Sequence, residues 1–291
     1  MIEVAPRIFY IPGKNNSRFP YCACLYLKGK NLRVLIDAGM GGGNLSPVKK
    51  KGLDVLILTH CHIDHRLTRR EIPHIPVWSH DKDAPYLFDK DLFFKAIGFN
   101  RSGLDLTRLV RAVSSAFEIV LSRTLADGDR IDLGGISLET IHTPGHTPGH
   151  LSFFVPEHQL LFAADVDLTP FGPFYGHDFA DIGDFIQSID TLKNIPAKTV
   201  FTGHAGPFTE DIAQRFEAYK QLIYERDRIV LNELKHTLSL EDLKGRNLIY
   251  RSYPPGDPQA RWFELIHIEK HLQRLAELGK VRRDAGSWIR I

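Results

Sequence analysis

The stretch Thr59-His60-Cys61-His62-Ile63-Asp64-His65 constrains this chain more than any other. It follows directly on Leu53-Asp54-Val55-Leu56-Ile57-Leu58, an apolar run that reads as a buried strand. Ordinary packing does not call for so many imidazoles and a carboxylate so close together. His60 and His62 are two apart, so on an extended segment both rings point to the same side. Asp64 and His65 are adjacent, and they converge on one ion only if the chain turns after His62. The stretch therefore suggests two neighbouring metals served by one loop. A helical zinc motif would instead space its histidines four apart.

Composition sets the frame for such a site. A chain of 291 residues favours about two domains. With 43% apolar and 25% charged residues it reads as a globular protein able to bury a substantial core without staples. The net charge of +2 is too balanced to argue for nucleic acid or a membrane surface. Cys22, Cys24 and Cys61 are too few for a disulfide framework, which favours a reducing compartment. Met1 to Arg7 lack the pattern of a secretory signal, and no apolar run approaches the ~20 residues that span a bilayer. A cytoplasmic location is the expectation.

Short strand signals fill the first sixty residues, at Arg7–Ile11, Ala23–Leu27 and Leu32–Asp37, separated by turn residues. The glycine run Gly39 to Gly43 lacks the Gly-Lys-Ser/Thr ending of a phosphate loop. Residues 81–125 turn helical, with Tyr86, Leu87, Phe93, Phe94, Leu109 and Val113 among the apolar positions; they read as packed helices, with a lid or an oligomer contact (and hence a homodimer) as the alternatives. Strands resume from Asp129, and a helix is expected from Ile182 to Leu192, then a strand at Thr199–Thr202. This order suits a sheet sandwich with helices on its outer faces. Beyond Thr209, an expected N-cap, come helical spacings, an expected capping box at Ser239 and Asp242, a long helix after Pro258, and a terminal hairpin. Two units follow, residues 1–222 and a smaller helical, winged-helix-like unit at 223–291.

Three further candidate ligands sit where strands run out into loops: His146 in Thr143-Pro144-Gly145-His146, Asp165 after Phe162-Ala163-Ala164, and His204 after Thr202-Gly203. Taken with His60, His62, Asp64 and His65, these positions resemble the metallo-β-lactamase superfamily over roughly residues 1–210. The motif His-x-His-x-Asp-His is intact, and the Thr-Pro-Gly-His segment, the strand-end Asp and the later Gly-His follow in the family's order. The resemblance implies an αββα sandwich in the α/β class. It also implies that His60, His62 and His146 hold one divalent cation and Asp64, His65 and His204 a second, with Asp165 and a hydroxide bridging them. Imidazole and carboxylate ligands without thiolate suit zinc, with manganese or iron as alternatives. Asp64 would in addition orient the attacking hydroxide, so Asp64 and Asp165 are the expected catalytic carboxylates.

Several neighbours compete for these roles. His150 shares the Pro-Gly-His phrase and is expected to support the ligands from behind. Asp167 lies farther from its strand end than Asp165. Cys61 should point away from its two histidine neighbours, and Cys22 and Cys24 read as buried strand residues. Tyr175 and His177 are the candidates to line the substrate mouth. Arg66-Leu67-Thr68 stands where many members carry Gly-Gly, so the following loop has its own shape. Leu168 replaces the tyrosine of lactone-cleaving members, and His62 replaces the Glu of flavodiiron proteins.

The leading expectation is a dinuclear metal-dependent hydrolase that uses a bridging hydroxide to cleave a small ester or thioester, in the manner of glyoxalase II. One alternative is a ribonuclease acting on single-stranded RNA, with Arg282, Arg283 and Arg290 of the tail touching phosphate. The other is a persulfide dioxygenase with one iron on His60, His146 and Asp165.

Overall fold

A computed structural model describes residues 1–250 and 257–291. The first half of the chain builds a seven-stranded sheet in sequence order: β1 (Ile2–Ala5), β2 (Ile8–Ile11), β3 (Cys24–Lys28), β4 (Arg33–Ile36), β5 (Val55–Ile57), β6 (Val77–Ser79) and β7 (Arg123–Thr124). Its first four strands are antiparallel, and from β4 onward the pairing is parallel. A second sheet, in the order β12-β11-β10-β9-β8, uses β8 (Arg130–Asp132), β9 (Ser137–His142), β10 (Leu151–Val155), β11 (Leu160–Phe162) and β12 (Thr199–Phe201).

Strand periodicity decides the layering. Alternate residues of β3 face opposite ways: Leu25 and Leu27 enter a core shared with Leu151, Phe153 and Phe162 of the second sheet, whereas Cys24 and Tyr26 enter the core on the outer face. Both faces of both sheets are covered, which is why Val55-Leu56-Ile57 and Leu160-Leu161-Phe162 are apolar without alternation. The result is the αββα sandwich expected from the sequence.

The helices fill the outer layers. On the first sheet lie α1 (Ser46–Lys51) and the expected helical stretch, made of α2 (Ala84–Phe88), α3 (Lys90–Ala96) and α4 (Thr107–Val113). On the second lie α5 (Ile182–Lys193) and α6 (Ile212–Glu233). Thr209 does not cap α6: Phe208 still pairs with Val200, so the chain is extended there and the helix opens only after Asp211. Residues 222 and 223 fall within α6, which runs unbroken into the C-terminal unit. That unit adds α7 (Leu240–Leu243), α8 (Pro258–Glu277) and a small sheet of β13 (Leu238–Ser239), β15 (Ser287–Arg290) and β14 (Val281–Asp284). Ser239 and Asp242 form the expected capping box, and Gly279 takes φ 67 just past α8. Val230, Leu243, Ile268, Leu272, Val281 and Trp288 make its core.

The helices at 84–113 are seated by one buried cation. Arg66 is fully buried and donates to the carbonyl oxygens of Leu87 (3.1 Å) and Tyr86 (3.3 Å), which end α2. Its guanidinium lies 4.4 Å from the centre of the Phe117 ring and 5.4 Å from that of Phe93. Burial pushes its pKa down to about 10. Trp262, Leu265 and Ile266 of α8 complete the same core, so these helices pack between the sheet and the C-terminal unit. Arg66→Ala removes two hydrogen bonds to carbonyls and leaves a cavity, and is expected to cost at least about 3 kcal/mol in urea unfolding. Arg66→Lys should recover little, because an ammonium lacks the planar fork that serves two carbonyls at once. A loss below about 1 kcal/mol for the alanine variant would contradict this account.

Candidate metal centre

The strand ends converge at one rim of the sandwich. Asp37 follows β4 and Thr59 follows its parallel neighbour β5, so they meet: the Thr59 amide donates to Asp37 Oδ1 at 2.9 Å and its hydroxyl to Oδ2 at 2.9 Å. Beyond Thr59 the chain bends through Cys61, is extended at His62 and then closes into a short 3-10 turn at Ile63–His65. This is the turn that the sequence required. His60 and His62 face one way, while Cys61 faces the other and its amide binds Asp83 Oδ2 at 2.8 Å. His146 sits between β9 and β10. A Cβ at Gly145 (φ 124) would stand 2.3 Å from the Phe185 amide of α5, so only glycine admits this approach. Asp165 and His204 leave the parallel strands β11 and β12 side by side. Gly203 brings the backbone against Asp165, where a Cβ would lie 2.7 Å from Oδ1.

Two groups of donor atoms result from the expected ligands, and each could hold a metal ion; Cys22 and Asp37 form a third group with His65. In the first, His62 Nδ1 lies 3.0 Å from His60 Nε2 and 2.8 Å from His146 Nε2, and Asp165 Oδ2 is 3.1 Å from His146 Nε2. In the second, Asp64 Oδ2 is 3.3 Å from His204 Nε2 and 3.7 Å from His65 Nε2. Asp165 reaches this group as well, through Oδ1 at 3.0 Å from His65 Nε2 and Oδ2 at 3.5 Å from His204 Nε2.

The hydrogen-bond network assigns the tautomers. His60 Nδ1 donates to the Thr59 hydroxyl (2.9 Å), which spends its own proton on Asp37. His65 Nδ1 donates to Asp37 Oδ2 (2.8 Å), His146 Nδ1 to the Phe174 carbonyl (2.8 Å), and His204 Nδ1 to the Ser17 carbonyl (2.7 Å). His62 Nε2 pairs with His177 Nδ1 at 2.9 Å. Each ligand imidazole is thus held by its outer nitrogen, which leaves the inner lone pairs of His60, His62 and His146 facing one another. Lone pairs at such separations repel unless a cation lies between them. His65 Nε2 and Asp165 Oδ1 are buried with no geometrically sound hydrogen bond, although they lie 3.0 Å apart. Nitrogen and oxygen donors without thiolate, presented in this way, fit divalent zinc and comparable ions.

Electrostatics divides the two groups. Burial, helped by neighbouring imidazoles, drives His60 and His62 well below the ordinary histidine range, so both are neutral. Burial opposes charge on His65 and His204 too, but there the surrounding carboxylates, Asp165 foremost, prevail and raise both well above that range. Burial likewise opposes charge on Asp64 and Asp165, yet His65 leads the neighbours that hold both carboxyls below their usual range.

Other expected residues fall outside the donor groups. His150 lies behind Asp165: its Nε2 accepts from the Asp165 amide at 3.1 Å and its Nδ1 meets the Thr143 hydroxyl at 2.8 Å. Asp167 accepts from Tyr219 and Thr169. The two residues expected at the substrate mouth are placed differently from each other. Tyr175 is fully buried, its hydroxyl tied to His271 and Arg226, because α6 and α8 cover it. His177 pairs with His62 beside the donor groups and, at 8%, is as exposed as Asp165. Sequence reasoning missed Asp37. Its signal was available, since it ends an apolar strand just as Asp165 does. The carbonyls of Ser17 and Phe174 carry no such signal, because any residue supplies one.

Residues 18–204 match the family described as the metallo-beta-lactamase superfamily, and the chain belongs to that superfamily. Among its relatives, the beta-lactamase-like protein 2 homolog of Caenorhabditis elegans is 27% identical over 56% of this chain and 54% of its own. A hydroxyacylglutathione hydrolase of Rhizobium meliloti is 41% identical over 29% of this chain and 32% of its own. The chain thus spans about half or less of the length of these two relatives. A metallo-beta-lactamase family protein of Thermus thermophilus superposes with a TM-score of 0.81, covering 99% of this chain and 100% of that one at 24% identity.

The charge division predicts a pH order. Metal must displace protons from His65 and His204, whose pKa values are raised, but finds His60 and His62 already deprotonated. Lowering the pH from about 8 to about 6 should therefore release the ion of the Asp64, His65 and His204 group first. Zinc titrations of His204→Ala and His146→Ala proteins across that range measure each group separately. Equal pH dependence in the two would refute the assignment.

Proposed function

We propose that this protein is a dinuclear metal-dependent hydrolase of a small ester or thioester. The observation that carries the reading is the Asp165 carboxylate, which faces both donor groups at once: Oδ2 toward His146, Oδ1 toward His65. Bound by these groups, two divalent cations would lower the pKa of water enough to supply hydroxide near neutral pH and would polarise the scissile carbonyl.

The chain's own residues supply orientation and charge. Asp64 and Asp165 present carboxylates held ionised by the adjacent imidazoles, so each can accept a hydrogen bond from the attacking water. The outer hydrogen bonds to Asp37, Thr59, Ser17, Phe174 and His177 fix the imidazoles before substrate arrives, so little reorganisation is left for the reaction itself. His204 is 16% exposed on its side chain and Asp64 and Asp165 are 9% exposed, which makes this edge the side open to solvent and substrate.

The thioester preference draws on the Rhizobium meliloti relative, named a hydroxyacylglutathione hydrolase. The inclusion of His62 in the first donor group supports a hydrolytic centre over a single iron held by two histidines and one carboxylate.

Protein purified without added metal should contain about two zinc or manganese ions per chain and hydrolyse a thioester such as an acyl-glutathione. Chelation should abolish turnover and zinc or manganese restore it. Asp64→Asn, which keeps the volume and removes the charge, should lower kcat by about 10²-fold or more. A single iron with oxygen consumption on a persulfide, or cleavage of single-stranded RNA without thioesterase activity, would replace this reading.

A further inference from the structure

The two donor groups are held from different parts of the chain. Behind the second stand Asp37 and the Ser17 carbonyl, both from the N-terminal part. Behind the first stands a loop, residues 171–177, whose Phe174 carbonyl takes the proton of His146 Nδ1 and whose His177 pairs with His62. Two of the three imidazoles in that group therefore take their orientation from this loop.

The loop is in turn gripped by α6 and α8. Arg226 of α6 donates to the carbonyl oxygens of Phe171 and Pro173 (the latter at 2.6 Å) and to the Tyr175 hydroxyl at 2.9 Å. That hydroxyl lies 2.7 Å from His271 Nε2 of α8, and His271 Nδ1 lies 2.7 Å from Asp227 Oδ1 of α6. Arg274 completes the chain of contacts at Asp227 Oδ2, 3.1 Å away. On the loop's other side, the Tyr175 amide donates to His267 Nε2 at 3.1 Å. Tyr175, His267 and His271 are fully buried, and Arg226 and Asp227 nearly so. A Cβ at Gly176 would stand 2.5 Å from the His267 ring, so the loop lies directly against α8.

A buried polar network of this size exceeds what packing two helices on a loop requires, and a network with one member missing costs more than none. We infer that Arg226, Asp227, His267 and His271, acting through Tyr175, are positioning residues for the His60, His62 and His146 group alone. The C-terminal helices thereby set the affinity of one metal and leave the other to the N-terminal part. This inference rests on the reading of both groups as metal ligands.

The test uses zinc alone, in competition with a chromophoric chelator, on full-length protein. His204→Ala isolates the first group and His146→Ala the second. Tyr175→Phe removes only a hydroxyl and keeps the packed ring. Added to His204→Ala, it should weaken zinc binding about 10-fold or more. Added to His146→Ala, it should change binding by less than about twofold. His271→Ala should behave like Tyr175→Phe, and His271→Gln, whose amide oxygen can accept from the Tyr175 hydroxyl, should recover most of the loss. Unchanged affinity in both backgrounds, or an equal loss in both, overturns the inference. If the unsubstituted protein takes up no zinc, the metal reading itself fails. Uptake of two ions with indifferent Tyr175 and His271 variants refutes the positioning role only.

Discussion

Five imidazoles and two carboxylates crowd the rim of this sandwich, and the inner nitrogens of His60, His62 and His146 cannot hydrogen-bond one another once their outer protons are committed. The repulsion among those atoms is the constraint that the surrounding structure resists. It does so by anchoring every ring from outside, through Thr59, Asp37, His177 and the carbonyls of Phe174 and Ser17. The anchors come from strand ends, from the N-terminal loop and from the segment under the C-terminal helices. The fold can be read as the arrangement that lets these distant pieces meet. Two parallel strand pairs, β4 with β5 and β11 with β12, end at the same edge and deliver Asp37, Thr59, Asp165 and His204 to it.

Much of this was legible in the amino-acid sequence, for a definite reason. Strand ends and ligand spacing are local properties: the apolar run to Leu58, the two-residue interval from His60 to His62, and the adjacency of Asp64 and His65 each imply a geometry by themselves. The sandwich followed from the order of periodic segments, and α5 was expected one residue shorter than it is. Tyr175 shows where this kind of inference stops. An aromatic and a histidine in a glycine- and proline-flanked loop look like a substrate mouth from nearby sequence alone. What buries Tyr175 is Arg226 and His271, some fifty and a hundred residues away, and no local pattern reports that contact.

Arg66 illustrates the same boundary from the other side. Its place after the ligand motif marked the following loop as unusual, but its partner, the end of α2, could not be read from the motif. A cation whose hydrogen bonds go to carbonyls is tolerated there because two such oxygens and two aromatic faces replace its hydration. The residue that follows the metal motif thus seats the helices over the first sheet.

Helix α6 contains neither glycine nor proline across its 22 residues, and it belongs to both units. A straight run of backbone hydrogen bonds of that length, roughly 33 Å, has no natural hinge. Opening the C-terminal helices away from the sandwich like the jaws of a clasp would therefore mean breaking this helix. Motion at the rim is left to side chains and short loops, so that the edge carrying the donor groups works as a fixed anvil.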